Sequence, residues 1–461
     1  MIMNNNELTD MKKNNVKKYK KVSVIKKVIL SVVIGIFVLA GILFAIYKLA
    51  LDPYRGVNRS TVESLPLDDV ITVEQAIEDM DYVMEMYRDR HPAWLEDSNE
   101  RVDAVEAMYE SEVQNLRNSG ESGITVLEEW KAISRIMHLL YDGHSSVYSV
   151  SDSMLYIDDF SQLREIGRPV KINGEPYEAV LERFCNVFQY EMESYARAVF
   201  DSNVICNENY LRWSDVDTSE GLDLTYDMGD GTEETFHYEF VPIDDVRGYD
   251  SSTEGDAAPW VYYDIDRENG IGIFTLTSCN YNKEYKETVK EFFEAVNEAG
   301  VDNVIVDLRW NGGGSSLVGD EFVHYLDVDS YYGWPSHVRF GPILYKNDRP
   351  LIRNHTQNPV FDGNVYILTN KQTFSAAMDF TMIVMDNGLG TVVGEECGNL
   401  PDSYGDILTF DTPNSHLTFT ISYKRWFRVD ADKTGQPLTP DYPCPSEEAM
   451  DKAYELILGK R

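Results

Sequence analysis

The sequence has few cysteines and a shortage of positive charge, and common cofactor-binding motifs are absent from it. Its five cysteines include no CxxC pair, and no Cys/His cluster has the spacing of a zinc site. Neither HExxH, a P-loop nor GxGxxG occurs, so no metal or nucleotide cofactor is expected. Only 41 Lys and Arg oppose 78 Asp and Glu, which gives a formal net charge of −37. Because such a surface repels phosphate backbones, no nucleic-acid partner is expected.

What is present indicates a packed protein of several segments. The chain has 461 residues, 43% of them apolar and 12% aromatic, which is typical of globular proteins longer than one domain. From N- to C-terminus the predicted segments are a cytoplasmic basic tail (1–27), a transmembrane anchor (28–47), a linker (48–70), a helical segment (71–150), a small mixed α/β module (151–255) and an α/β core (256–461).

The N-terminal part combines a basic tail with a long apolar run. In residues 1–27, eight lysines oppose only Glu7 and Asp10, whereas residues 28–47 carry no charged side chain. Twenty helical residues cross about 30 Å of hydrocarbon, so this run is predicted to be a membrane anchor. The lysines place the tail in the cytoplasm and the body outside. A cleaved signal peptide is the alternative, which the length of the run and the lack of a clean A-x-A site disfavour.

A histidine follows the helical segment. Three amphipathic helices are predicted between residues 71 and 141, and the last ends at the turn Asp142-Gly143. His144 comes next, where a ring is free to point into a site; a surface position or a partner for the helix dipole is the alternative. By contrast, His91 beside Pro92 is interpreted as a helix stop.

The middle module is predicted to be a small mixed α/β unit. One helix is expected over residues 177–199, and alternating runs on both sides of residues 227–232 predict a hairpin. The sequence leaves open whether Cys185 and Cys206 form a disulfide. Asp250–Asp256 is expected to be a linker.

Two features of the core carry chemistry. Strand 271–276, helix 284–299 and strand 304–308 predict a parallel β-α-β crossover in a mixed sheet. The second strand leads to Gly312–Gly314, whose N–H groups can approach a bound group closely. A phosphate-binding loop is the alternative, but the Lys-Ser/Thr of a Walker loop is missing.

The second feature of the core is Ser375. It follows the buried strand 365–368 and begins a helix that runs to about Asn387. The positive end of the helix favours negative charge there, so the position suits a nucleophile. Glycine-loop N–H groups opposite it would form an oxyanion hole. Because serine is also a preferred N-cap, a structural role is the alternative.

Four motifs in this order resemble the tail-specific, or C-terminal-processing, serine peptidases, and most closely their tricorn-core-like branch without a full PDZ domain. They are Asp142-Gly143-His144, Asp307 to Gly314, Thr373 to Ala377 and Val393 to Gly405. The resemblance implies Ser375 as the nucleophile and His144 as the general base. It also implies an oxyanion hole formed around Gly312, Gly313 and Ala376, and a middle module that is a cap or a degenerate PDZ-like unit.

Two positions depart from the family's pattern. Asn399 stands where the processing branch has a lysine, so a Ser–Lys dyad is not expected. Gly143 stands where the tricorn branch has a serine that links the histidine to a glutamate. Glu395 and Asp142 are therefore the candidates for orienting His144.

Together these features predict a membrane-anchored, extracytoplasmic serine peptidase. It would cleave peptide or protein substrates through an acyl-enzyme on Ser375. One alternative is a non-catalytic protein that binds apolar ligands on the same fold. Another is an anionic scaffold for basic partners.

Overall fold

The structure is a computed structural model that describes residues 5–58, 60, 62–96, 99–120, 122–151, 153–247 and 259–459. The linker predicted at Asp250–Asp256 lies outside these residues. The chain forms two compact units, residues 1–55 with 340–343, and residues 56–339 with 344–461.

The first unit is built on one long helix. Lys26–Leu51 spans 26 residues with a mean hydropathy of 3.0 and is wholly exposed. That is long and apolar enough to cross a membrane, and a signal sequence near an N-terminus has the same properties.

Helices of the described chain are numbered in order. They are α1 (Asn5–Ile46), α2 (Val73–Arg90), α3 (Glu100–Asn118), α4 (Val126–His138), α5 (Ser161–Glu165), α6 (Tyr177–Cys185), α7 (Glu193–Val199), α8 (Glu208–Trp213), α9 (Lys283–Ala299), α10 (Leu317–Val323), α11 (Ala376–Asp386) and α12 (Ala449–Leu458).

Strands are numbered in the same way. They are β1 (Val70–Thr72), β2 (Gly123–Thr125), β3 (Val147–Tyr148), β4 (Leu155–Ile157), β5 (Lys171–Ile172), β6 (Glu175–Pro176), β7 (Leu222–Asp227), β8 (Glu233–Tyr238), β9 (Phe240–Pro242), β10 (Val261–Asp266), β11 (Ile271–Leu276), β12 (Asn303–Asp307), β13 (Ser330–Tyr332), β14 (Ser336–Phe340), β15 (Ile343–Asn347), β16 (Leu351–Arg353), β17 (Asn364–Thr369), β18 (Thr391–Gly394), β19 (Tyr404–Asp411), β20 (Thr418–Trp426) and β21 (Tyr442–Pro443).

A mixed sheet in the order β10-β11-β12-β17-β18-β21 forms the core. β11, α9 and β12 make the predicted crossover, since β11 and β12 pair in parallel. Successive side chains of a strand point to opposite faces, so Val304 and Val306 pack with α9, α10 and α11, whereas Ile305 packs with α12. The sheet therefore holds the carboxyl ends of β12 and β17, which precede the glycine loop and Ser375, side by side.

A second core joins the helical segment to the antiparallel pair β19–β20. β3 adds to β20 through the register Phe419↔Val147, so the chain after α4 lies along that strand. Thr420 Oγ1 donates to the carbonyl of His144 at 2.7 Å, and the amide of Ser422 donates to Ser145 Oγ at 2.9 Å. Strand β20 thus fixes the backbone of His144 from the far end of the sequence.

The middle module contains the sheet β6-β5-β7-β8, and β7–β8 is the predicted hairpin. One prediction here is wrong: the helix expected over 177–199 is two helices, α6 and α7. Between them Gln189 is buried, and its amide donates to the carbonyls of Val187 and Ser134. These bonds tie the segment to α4 and divert the chain from helical geometry. Cys185 and Cys206 are free thiols, as are the other three cysteines.

Candidate active site

Ser375 occupies the sharp turn between β17 and α11. Its backbone has φ 55° and ψ −123°, a conformation that is costly for a residue with a side chain. Although it holds the N-cap position of α11, its hydroxyl makes no capping bond to any described residue. The Ser375 amide donates to Oδ1 of buried Asn399 at 2.7 Å. Asn399 therefore supports the Ser375 backbone.

The glycine loop packs directly against Ser375. Gly313 has φ +98°, and a Cβ there would lie 2.7 Å from Ser375 Cβ and 2.9 Å from the Ala376 nitrogen. Only glycine fits such an approach. The Gly313 N–H, however, donates to Asn311 Oδ1 at 2.9 Å. Its amide is therefore engaged within the loop rather than pointing at a substrate.

Ser375 and His144 line one cavity of about 520 Å³. Gly312 and Ala376, two of the three predicted oxyanion residues, line it as well, while Gly313 is not among the described residues at its wall. The rest of the wall consists of Gly314, Ser315, Ser316, Trp334, Phe374, Gly405, Asp406, Ile407, Lys424 and Trp426.

The imidazole of His144 is 11% exposed and lies against Phe374, with ring centroids 4.8 Å apart. Burial lowers the pKa of His144 below its ordinary 6.5, and the charge of Asp142 opposes that shift. The ring is therefore neutral at physiological pH, which is the form that accepts a proton. Nδ1 is buried and has no hydrogen-bond partner among the described residues.

Asp142 is a buried anchor beneath His144. It accepts hydrogen bonds from His91 Nε2 at 3.2 Å, from the His144 amide at 2.9 Å and from Ser145 Oγ. Burial raises the pKa of Asp142, but its hydrogen bond to His91 and the charge of His91 outweigh this and hold it at about 2. Its Oδ1 lies 3.9 Å from His144 Nδ1. His91 is thus more than a helix stop, because its buried ring partners Asp142.

Glu191, between α6 and α7, enters the site without any sequence signal. Its Oε1 accepts the Gly143 amide at 2.9 Å, and Oε2 is buried without a described partner. Burial raises the pKa of Glu191 to about 8, and the charge of Asp142 adds to the effect. One oxygen or ring nitrogen from each of Asp142, His144 and Glu191 lies within 4.8 Å of the others, so the three side chains form one polar cluster.

Glu395, the other predicted orienting residue, lies elsewhere. Its carboxylate pairs with Lys371 Nζ at 3.0 Å, and the described residues at the cavity wall do not include it. A role for Glu395 in orienting His144 stays a prediction.

Comparison with known proteins identifies the core. Residues 270–444, which contain the crossover, the glycine loop and Ser375, match peptidase family S41. This segment is therefore similar to members of peptidase family S41. A carboxyl-terminal-processing protease of Picosynechococcus sp. (strain ATCC 27264 / PCC 7002 / PR-6) is 24% identical over 172 residues. That match covers 34% of this chain and 39% of the curated relative, so it spans well under two thirds of the relative's length.

Solved structures extend the likeness beyond the S41 segment. Mature CPAF has a TM-score of 0.57 at 13% identity, covering 84% of this chain and 96% of that one. A structure of mature CPAF complexed with lactacystin gives the same TM-score, identity and share of this chain, and 97% of that one. At such identity the likeness shows a shared fold. The S41 match and the processing-protease relative support a serine-type peptidase.

Proposed function

We propose that this chain is a membrane-anchored, extracytoplasmic serine peptidase of the tail-specific type. The proposal depends on one observation: Ser375, on a strained turn, and the neutral His144 line the same cavity. A serine hydroxyl needs a nearby base to become nucleophilic, and a buried neutral imidazole is such a base. The S41 segment and the processing-protease relative support the same reaction class.

In the proposed reaction, Ser375 Oγ attacks the carbonyl carbon of a peptide bond and passes its proton to His144. The amides of Gly312 and Ala376 stabilise the negative oxygen that forms. His144 then gives the proton to the departing amine, and an acyl ester remains on Ser375. Water, deprotonated by the same imidazole, hydrolyses the ester and restores the serine.

Location and the middle module complete the proposal. The apolar helix with lysines before it supports an anchor whose tail is cytoplasmic and whose body is outside. The middle module contributes Tyr195, whose ring stacks on Phe374 at 4.7 Å, and Glu191, which contacts Gly143. Both contacts support a cap that closes one side of the site.

The test uses the full chain in detergent and a fluorophosphonate probe, with the modified residue mapped by mass spectrometry. We expect the label on Ser375, and none on the Ser375→Ala variant. Ser315→Ala is the matched control, since Ser315 lines the same cavity but lies on the glycine loop. That variant should still carry the label on Ser375.

Full labelling or peptide cleavage by Ser375→Ala would overturn the proposal. Saturable binding of an apolar ligand by a wild-type chain that never labels would instead favour the non-catalytic alternative.

A further inference from the structure

The position before His144 explains how a carboxyl group reaches the site. A Cβ on Gly143 would lie 3.0 Å from Glu191 Oε2 and 3.2 Å from Phe374 Cζ. Both distances are tighter than nine in ten real Cβ contacts, so a side chain at this position would push the carboxyl away by a few tenths of an ångström. Glycine therefore leaves the space that Glu191 fills, and the Gly143 amide holds Glu191 Oε1 at 2.9 Å.

Two buried atoms beside this glycine have no partner among the described residues. They are Oε2 of Glu191 and Nδ1 of His144. The tight group formed by Asp142, His144 and Glu191 brings a carboxylate oxygen and a ring nitrogen within 4.8 Å. Hydrogen bonds in unliganded active sites are often long and tighten when substrate binds.

Asp142 is the competing acceptor, but its oxygens are committed. Oδ1 accepts the amide of His144 itself, and Oδ2 accepts from His91 and Ser145. The His144 Nδ1 to Asp142 Oδ1 distance of 3.9 Å exceeds a hydrogen bond. Glu191 Oε2 is thus the one carboxylate oxygen of this group that accepts no hydrogen bond from a described residue.

We propose that Glu191, supplied by the middle module, is the positioning residue for His144. Its Oε2 accepts a hydrogen bond from the Nδ1–H of His144 through the space left by Gly143, so no serine is needed between the two side chains. This inference rests on the proposed function, because it assigns His144 a partner for its work as a base. Burial raises the pKa of Glu191 to about 8, so below that pH its carboxyl takes the charged, accepting form only when a proton arrives on the neighbouring imidazole.

The test measures the kinetics of Ser375 labelling by a fluorophosphonate in the full chain. We expect Glu191→Gln to lower the maximal labelling rate by about 100-fold, because its NH₂ group cannot accept from Nδ1. The probe concentration for half-maximal rate should change by less than about threefold, since Glu191 does not line the cavity that holds the probe. Glu193→Gln is the matched control, because it makes the same substitution two residues away, at a side chain that is 73% exposed.

A second variant separates positioning from a structural role. Glu191→Ala opens a space next to the Gly143 amide, and formate should restore labelling at least several-fold. A merely structural role predicts no rescue. Wild-type labelling of Ser375 together with an unchanged rate in Glu191→Gln, or no formate rescue in folded Glu191→Ala, would overturn this inference and leave the proposed function standing. A wild-type chain that does not label at all would overturn both.

Discussion

Replacing Gly313 by alanine should disable Ser375 although Ser375 itself is unchanged. The added methyl would meet Ser375 Cβ at 2.7 Å, the Phe374 carbonyl oxygen at 2.8 Å and the Ala376 nitrogen at 2.9 Å. Two of these atoms belong to the backbone, which cannot turn aside as a flexible side chain can. The turn that carries Ser375 must therefore shift by several tenths of an ångström.

Two contributions set the expected magnitude. Alanine at φ +98° costs about 1–2 kcal/mol in backbone strain, before any clash. Displacing the serine and the Ala376 N–H costs activity, since losing one oxyanion donor lowers the rate about 10²–10³-fold. We therefore expect labelling at least about 100-fold slower, with unfolding easier by about 2–4 kcal/mol once overpacking is added.

Gly388→Ala is the control for strain alone. Gly388 has φ +67° just past the other end of α11, and a Cβ there meets nothing within 4 Å. Urea unfolding should show a loss of about 1 kcal/mol with normal labelling. If Gly313→Ala labels as fast as Gly388→Ala, the packing of the glycine loop does not hold Ser375 in place.

Three further outcomes follow from the electrostatics of the site. Because burial lowers the pKa of His144, labelling should rise with pH around a midpoint below 6.5, and a midpoint above 7 would contradict a buried base. Asp142→Asn should cost about 2 kcal/mol or more of unfolding free energy at pH 7. Since the pKa of Asp142 is about 2 instead of 3.8, its stabilisation is present above pH 4 and lost as the pH falls towards 2. The unfolding free energies of the wild type and Asp142→Asn, measured with urea, should therefore converge in acid. A difference that persists at pH 2 would count against an ionised Asp142. Glu395→Gln should leave labelling within about twofold, because that carboxylate pairs with Lys371, and a 100-fold loss would restore Glu395 as the orienting residue.

Local sequence patterns were enough to predict the secondary structure around Ser375. An apolar run followed by a helix-forming run places Ser375 at a strand-to-helix turn, and the structure has β17, Ser375 and α11 in that order. Capping chemistry is equally local, since Thr72 begins α2 with a capping box formed with Gln75, three residues later. The β-α-β crossover followed from the spacing of two strands and one helix.

Partners that only tertiary contacts bring together could not be predicted from the sequence. Helical propensity runs through residues 186–192, but the buried amide of Gln189 bonds across to α4 and breaks the helix. That break delivers Glu191, so the error in the helix and the missed residue have one cause. His91 was interpreted from its neighbour Pro92 alone, whereas its ring partner Asp142 is 51 positions away.

The backbone support of His144 forms late in the synthesis of the chain. His144 is anchored by Thr420, 276 positions later in the chain, and Ser422 fastens the residue after it. A ribosome-bound chain that already exposes residue 144 has not yet made this support. The backbone of His144 therefore gains this support only after β20, the penultimate strand of the described chain, has been made.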